Sequence, residues 1–190
     1  MIGVPEAHEL ARARITPDLY QHSCRVAELA ATLAARWGAD ADSARVAGLL
    51  HDLCREMTAE EALAAARIHS MKVGELERRF PVQLLHGPLA ARELADGGVP
   101  SAVLSAIAGH TLGRRGMTTL EKCVYVADSC EPGRKHAGAA QVREHAERSL
   151  DDGVRAAVTA TLRYLLERGW PLAGAIVDLY NESHGDEQRL

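Results

Sequence analysis

The chain has 190 residues, a formal net charge of −4 and a sequence pI near 6.1. Single domains typically contain about 100–200 residues, so this length predicts one domain with a sizeable core. The slightly acidic charge argues against a nucleic-acid-binding protein, because such proteins present a basic surface to the phosphates. The start of the chain has no basic leader followed by an apolar core, and no segment reaches the roughly 18 apolar residues of a membrane span. We therefore expect a cytoplasmic protein with no nucleic-acid or membrane partner.

Helices are predicted almost throughout the chain. Aromatic residues make up only 4% of it, alanine is abundant, and apolar residues recur at intervals of three and four. This spacing is typical of amphipathic helices, whereas strands show alternation. The predicted fold class is all-α, a single-domain helical bundle. The four cysteines contain no Cys-x-x-Cys pair, and we interpret them as reduced, mostly buried residues.

The first long helix is delimited by clear start and stop residues. Thr16 and Pro17 provide an N-cap and a first-turn proline, and Gly38 provides a C-terminal stop. One face of this helix carries the residues predicted to point inward. They are Leu19, His22, Val26, Leu29, Ala30 and Leu33.

The second predicted helix begins near Asp40 or Asp42 and carries the apolar run "VAGLL". We expect His51 and Asp52, which follow this run directly, to lie on the same helix. Burying such residues without a partner costs free energy, so their position calls for a counter-charge or a metal.

Later helices are marked by capping boxes and prolines. The pairs Thr58 with Glu61 and Thr118 with Glu121 each fit the capping-box pattern that opens a helix. Four further helical segments are predicted from their apolar periodicity and their flanking glycines and prolines. They are 81–98, 100–111, 150–169 and 171–182.

Four of the nine histidines share an unusual setting, because each lies inside or at the end of an apolar helical segment. Two aspartates have a similar position, one directly after a histidine and one inside "CVYVADSC". Such residues on separate helices are stable in a bundle when they converge on a cation, which supplies the missing charge. The alternative is that some of the histidines only cap helices or form hydrogen bonds across the core. The set is His22, His51, Asp52, His86, His110 and Asp128.

The donor types narrow the choice of metal. Imidazole nitrogens with carboxylate oxygens and no thiolate suit iron, manganese, cobalt or zinc, whereas calcium prefers oxygen ligands alone. The sequence therefore predicts a site for a divalent transition metal.

The order of these residues resembles that of the HD-domain metal-dependent phosphohydrolases, and within them the YqeK-like branch that hydrolyses diadenosine tetraphosphate symmetrically. The resemblance implies an HD-type helical domain at 15–183, an N-terminal extension at 1–14 and a C-terminal tail at 184–190. The matching stretches are "HSCRVAELA", "AGLLHDLCRE", "LLHGPLAA", "AIAGHTLGR" and "LEKCVYVADSCEPGR".

The resemblance also implies roles for the residues of the set. His86 and His110 either bind a second metal ion or contact the substrate phosphates, so one or two ions are expected. With Asp52, which is placed to hold or deprotonate the attacking water, they form the expected catalytic group. Iron is the first choice of metal, with manganese or cobalt as alternatives. The implied metal ligands are His22, His51, Asp52 and Asp128.

Phosphate-binding residues are expected beside these ligands. Arg55 stands where the family usually has lysine; it keeps the charge but presents a planar fork. Leu112 stands where the family usually has a second threonine, which leaves Thr111 as the polar contact. Arg114 and Arg134 lie in glycine-rich loops that can bring guanidinium groups to a polyphosphate. The alternative is that they are solvated charges of these loops.

The resemblance thus implies a metal-dependent hydrolase that cleaves diadenosine tetraphosphate into two ADP. An HD phosphohydrolase acting on mono- or triphosphates or on guanosine tetraphosphate is the first alternative, since the same ligands permit it. A non-catalytic metal or nucleotide sensor is the second. The expected partner is a small nucleotide substrate, and a homodimer is left open.

Overall fold

Helices are the only regular secondary structure in this computed structural model, which describes residues 2–135 and 137–185. No strand forms within these ranges, and the all-α prediction is confirmed. None of the helices in them is both long enough and apolar enough to cross a membrane. In chain order the helices are α1 (Val4–Arg14), α2 (Pro17–Trp37), α3 (Ala41–Leu50), α4 (Ala59–Ile68), α5 (Glu75–Arg79), α6 (Pro81–Leu94), α7 (Ser101–Gly109), α8 (Thr119–Cys130), α9 (Ala137–Arg148), α10 (Leu150–Glu167) and α11 (Gly174–His184).

Helix α8 lies at the centre of the bundle. It packs against α2, α3, α7, α9 and α10. Its residues from Cys123 to Ala127 are all buried, as expected for a helix surrounded on every side. Asp128 follows this apolar run directly, so the central helix places a carboxylate deep in the molecule.

Helices α2 and α3 approach each other closely at Gly48. A Cβ atom at this position would lie 2.5 Å from the Cα and 2.7 Å from the nitrogen of Ala27. Only glycine fits there, because the obstructing atoms belong to the backbone of α2. This contact brings His51 on α3 into the vicinity of His22 on α2.

The predicted helix start and stop residues act as expected except for Thr16. Both capping boxes are present, at Thr58 and at Thr118, and Gly38 ends α2 in the left-handed conformation with φ of 78°. Thr16 occupies the N-cap position of α2, but its hydroxyl donates to Glu56 and caps no helical N–H. The carboxylate of Glu56 also accepts from the Thr16 N–H, so this helix start is tied to the loop after α3.

Several predicted helix boundaries were wrong. Helix α6 ends at Leu94 rather than at residue 98. The last helix begins at Gly174 rather than at Pro171. Helix α3 ends at Leu50, so that His51 is its C-cap and Asp52 lies in the turn at 51–56. His51 keeps helical backbone angles at this C-cap, with φ of −60° and ψ of −36°. Its Nε2 atom lies 3.3 Å from Oδ2 of Asp52.

The cysteines follow the prediction. All four are free thiols; Cys54, Cys123 and Cys130 are buried and Cys24 is half-buried. Burial raises the pKa of the three buried thiols to about 12, which keeps them protonated at neutral pH. They pack as small apolar residues.

Candidate metal centre

Five helical elements and one turn contribute the six predicted side chains to one cluster. His22 comes from α2, while the others come from the end of α3, the turn behind it, α6, the end of α7 and α8. His51, Asp52, His86 and His110 are buried, and the side chains of His22 and Asp128 are 12% and 20% exposed. The structure therefore brings together the whole set that the sequence singled out.

The inner part of the cluster contains two histidines and two aspartates. The Nε2 atom of His22 lies 3.1 Å from Oδ1 of Asp128 and 3.8 Å from Oδ2 of Asp52. The Nε2 atom of His51 lies 3.3 Å from Oδ2 of Asp52 and 3.7 Å from Oδ1 of Asp128. Ligand atoms of His22, His51 and Asp128 lie within 4.8 Å of one another, close enough to surround one cation.

Asp52 connects this inner part to two further histidines. Its other oxygen, Oδ1, lies 3.1 Å from Nε2 of His86 and 3.5 Å from Nε2 of His110. The hydroxyl of Thr111 lies 3.2 Å and 3.1 Å from the same two nitrogens. One carboxylate thus faces four imidazoles, two with each oxygen.

Three of the imidazoles are oriented by their own helices. The Nδ1 atoms of His51, His86 and His110 each lie 2.7 Å from a backbone carbonyl three or four residues earlier. A carbonyl oxygen only accepts, so Nδ1 must carry the proton and Nε2 of the neutral ring presents its lone pair to the cluster. Metal-binding histidines typically have this arrangement. The acceptors are Gly48, Val82 and Ile107.

The fourth imidazole is oriented by Glu131, a residue that the sequence analysis did not identify. The carboxylate of Glu131 is buried and lies 3.1 Å from Nδ1 of His22. It also accepts hydrogen bonds from Nε of Arg25, at 2.6 Å, and from the Gly133 N–H. Burial raises the pKa of Glu131, but these donors outweigh it and lower the pKa to about 2. The available signal was its place in "EPGR", directly after the apolar end of α8.

Neighbouring charges and burial shift the pKa values of His51 and Asp52 in opposite directions. Burial lowers the pKa of His51, but the charge of Asp52 outweighs it, and the pKa is raised. Burial raises the pKa of Asp52, yet His51, His110 and His86 together hold it well below its usual value. Both effects keep Asp52 ionised and place positive charge beside it. A bound cation would supply that charge and displace the proton from the imidazoles.

The residues present fit a metal ion. Among the described residues, Nε2 of His22 and Nε2 of His51 are buried nitrogens without a hydrogen-bond partner. Buried polar atoms are rarely left without a partner, since desolvation then goes uncompensated. Here both atoms point at two carboxylates, and a divalent cation at this point would satisfy all four groups.

A cavity of about 380 Å³ opens beside the cluster, a volume typical of small-molecule sites. Its polar end includes side chains of the cluster and neighbouring residues predicted to bind substrate. The remaining wall is largely apolar and aromatic. The polar end is formed by Asp52, Arg55, His86, His110, Thr111, Asp128 and Arg134.

The three predicted arginines differ in position. Arg134 lines the cavity and donates to Oδ1 of Asp128 at 2.8 Å. Arg55 also lines the cavity and pairs with none of the described carboxylates, which leaves its guanidinium free for an anion. Arg114 does not line this cavity, and its guanidinium forms two hydrogen bonds to the buried Glu121, at 2.9 Å and 2.8 Å. The structure brings Arg55 and Arg134 to the cluster and Arg114 to a different carboxylate.

Curated relatives match the chain over most of its length. A protein named symmetrical bis(5'-nucleosyl)-tetraphosphatase from Staphylococcus aureus is 30% identical over 193 residues, which cover 100% of this chain and 98% of that protein. One of the same name from Bacillus subtilis is 33% identical and covers 88% and 90%. A probable nicotinate-nucleotide adenylyltransferase/Ap4A hydrolase from Mycoplasma genitalium is 31% identical over 65% of this chain and 35% of its own.

The fold and the family model agree with these relatives. The crystal structure of a predicted HD superfamily hydrolase involved in NAD metabolism, from Clostridium acetobutylicum, has a TM-score of 0.88 at 28% identity, covering 96% of this chain and 97% of that one. The HD domain model matches residues 19–133, a range that contains all six cluster residues. The chain therefore belongs to the HD domain family, in the branch of the symmetrical bis(5'-nucleosyl)-tetraphosphatases.

Proposed function

We propose that the protein is a metal-dependent hydrolase that cleaves diadenosine tetraphosphate symmetrically into two ADP. The observation that carries this proposal is the buried histidine and aspartate cluster opening onto a cavity that also holds Arg55 and Arg134. The relatives named symmetrical bis(5'-nucleosyl)-tetraphosphatase support the choice of substrate.

Four residues would hold the cation, with iron as the first choice and manganese or cobalt as alternatives. A divalent cation at this position polarises a phosphoryl oxygen and lowers the pKa of a water molecule. We assign His86 and His110 to the substrate phosphates, because both line the cavity whereas neither His22 nor His51 does. The proposed ligands are His22, His51, Asp52 and Asp128.

The remaining polar groups would bind and orient the polyphosphate. Asp52 would hold or deprotonate the attacking water; its Oδ1 atom lies 3.1 Å from Nε2 of His86 and 3.5 Å from Nε2 of His110, and all three residues line the cavity. Arg55 and Arg134 would neutralise charge on the transferring and leaving phosphates. The leaving group in a central cleavage is a nucleoside diphosphate, whose charge is spread over several oxygens. We also propose a cytoplasmic location, since the free thiols fit a reducing compartment.

Product analysis tests the proposed function. Metal-loaded protein is incubated with diadenosine tetraphosphate, nucleoside mono- and triphosphates and guanosine tetraphosphate, and the products are separated by chromatography. ADP as the sole product of diadenosine tetraphosphate supports the proposal. AMP and ATP in equal amounts would contradict the cleavage position. Turnover of the other nucleotides alone would favour a different HD phosphohydrolase, and no turnover at all would favour a sensor.

A further inference from the structure

Three aromatic residues line the same cavity as the polar groups of the cluster. The chain contains one phenylalanine, two tryptophans and four tyrosines, and Phe80, Tyr164 and Trp170 all line this cavity. They come from the junction of α5 and α6, from α10 and from the loop between α10 and α11. We call these three residues the aromatic wall.

The rings of the aromatic wall touch one another and remain open to solvent. The centroid of Trp170 lies 6.2 Å from that of Phe80 and 6.0 Å from that of Tyr164. Trp170 is 41% exposed and Tyr164 is 46% exposed, and both are among the few large apolar side chains that the described residues leave exposed. A cluster of exposed aromatic rings is typical of a binding surface.

Two polar side chains accompany the aromatic wall: Arg168 lies over its rings, and Gln83 lines the same cavity. The guanidinium of Arg168 lies over Tyr164 at 4.6 Å from its centroid and 5.8 Å from that of Trp170. Gln83 lines the same cavity. Its side-chain amide forms no hydrogen bond with a described residue, so the amide is free to donate and accept. Aromatic faces stack on nucleobases, and glutamine amides pair with the edges of the bases.

The geometry points to a nucleobase site: we propose that the aromatic wall stacks one adenine of the dinucleotide while the polar end binds the phosphates. This inference rests on the proposed function for the substrate. A nucleotide combines an anionic polyphosphate with a flat ring, and the lining of the cavity combines arginines and histidines with aromatic rings. Phe80, Tyr164 and Trp170 are then substrate-binding residues that contribute affinity for the base and do not touch the reacting atoms.

Binding is tested by the fluorescence of Trp170 itself. The other tryptophan, Trp37, donates to the Ala146 carbonyl on α9 and does not line the cavity, so a Trp37→Phe variant leaves Trp170 as the only indole. Titration of the metal-loaded variant with ADP is expected to quench its emission. Methylenediphosphonate, which carries no base, is expected to leave it unchanged. Equal quenching by both compounds, or none by ADP, would overturn the proposal.

Kinetics separate the aromatic wall from the catalytic groups. Loss of one stacked base typically reduces affinity about ten-fold or more. Trp170→Ala is therefore expected to raise KM for diadenosine tetraphosphate about ten-fold with little change in kcat, and Trp170→Phe to restore KM. Trp37→Phe is the matched control, with KM unchanged. An unchanged KM in Trp170→Ala, at intact thermal stability, would overturn the proposal while leaving the hydrolase activity established.

The competing occupant of an exposed aromatic surface is a second copy of the chain. Sedimentation of the wild type and of Trp170→Ala decides this point, with Tyr164→Ala as a second variant in case the first does not fold. The same mass for wild type and variant supports the nucleobase site. A shift from dimer to monomer would contradict it. If ADP quenches Trp170 but diadenosine tetraphosphate is not cleaved, the base site stands and the proposed function fails.

Discussion

The Nε2 atoms of His86 and His110 lie 2.9 Å apart, although each ring already uses its Nδ1 proton for a backbone carbonyl. In the neutral form the two lone pairs would therefore face each other. The hydroxyl of Thr111 has a single proton and can donate to only one of them. Burial lowers the pKa of His86 although Asp52 opposes the shift, so the gap between the two Nε2 atoms is a place where an external hydrogen-bond donor or a cation would relieve the facing lone pairs.

Asp52→Asn is expected to remove bound metal and activity together. The carboxylate of Asp52 lies within 4 Å of Nε2 in all four imidazoles, at 3.1, 3.3, 3.5 and 3.8 Å, and the substitution keeps its shape while removing its charge. We expect kcat to fall at least about 100-fold, because loss of a residue that only orients a metal ligand already costs up to about 100-fold in affinity or activity. Elemental analysis, turnover and circular dichroism measure metal, activity and fold.

Asp42→Asn is the control for that variant, because it is the same substitution at an aspartate whose side chain is 77% exposed. Its metal content and turnover should equal those of the wild type. Stoichiometric metal in Asp52→Asn, or a wild type that binds no metal when purified without chelator and gains no activity from iron or manganese, would contradict the proposed centre.

Glu131→Gln is expected to weaken metal affinity about 10–100-fold without removing a ligand. The carboxylate orients His22 through Nδ1 and is itself held by Arg25. A glutamine amide lacks the negative charge that attracts both of these groups. Competition with a chelating dye measures the affinity.

Glu121→Gln provides a matched control for Glu131→Gln. Glu121 is equally buried and also pairs with an arginine, Arg114, but it lies outside the cluster. This variant should lose stability and keep its metal affinity. A similar loss of metal affinity in both variants would mean that Glu131 acts through general stability rather than through His22.

Arg134→Ala is expected to raise KM or slow turnover while leaving metal content intact. Its guanidinium lines the cavity beside Asp128, and a guanidinium contacts phosphate but is not a metal ligand. Arg114→Ala should instead lower thermal stability with KM unchanged, because its partner is the buried Glu121. If Arg114→Ala raised KM as strongly as Arg134→Ala, the original prediction of a phosphate contact for Arg114 would be correct.

Gly48→Ala is expected to lower the free energy of unfolding by about 1–3 kcal/mol, the usual cost of overpacking. The new methyl group would meet the backbone of Ala27, which cannot move without shifting α2 against α3. Urea denaturation measures the change. Gly109→Ala in α7 is the control, since a Cβ there meets nothing within 4 Å, and it should be neutral or slightly stabilising. Equal stability of Gly48→Ala and the wild type would show that the helix pair tolerates separation.

Local sequence patterns predicted those features that local interactions determine. The capping boxes at Thr58 and Thr118 and the glycine stop at Gly38 depend on residues within one helical turn, and all three are present. The end of α3 at Leu50 was missed because the apolar pattern continues to Leu53, while the ring of His51 bonds the Gly48 carbonyl at the point where the chain turns.

The cluster was predictable for a different reason. Polar residues at the ends of apolar segments stand out in the sequence, so each of the six could be singled out without knowing its neighbours. Glu131 and Arg114 were not assigned correctly in this way, because Glu131 opens the polar stretch "EPGR" after α8 and Arg114 lies in a glycine-rich loop. Their roles depend on partners chosen by the tertiary structure, His22 and Arg25 for Glu131 and Glu121 for Arg114.

The cluster residues are far apart along the chain, so they emerge at different times during synthesis. His22 and the carboxylate that orients it are 109 residues apart, and Asp128 follows only at the end of the central helix. During synthesis from the N-terminus, a chain that has emerged only as far as α7 has four imidazoles and Asp52 but neither Asp128 nor Glu131. The proposed set of four ligands is therefore complete only after α8 has emerged, and an ion bound earlier would meet an incomplete set of carboxylates.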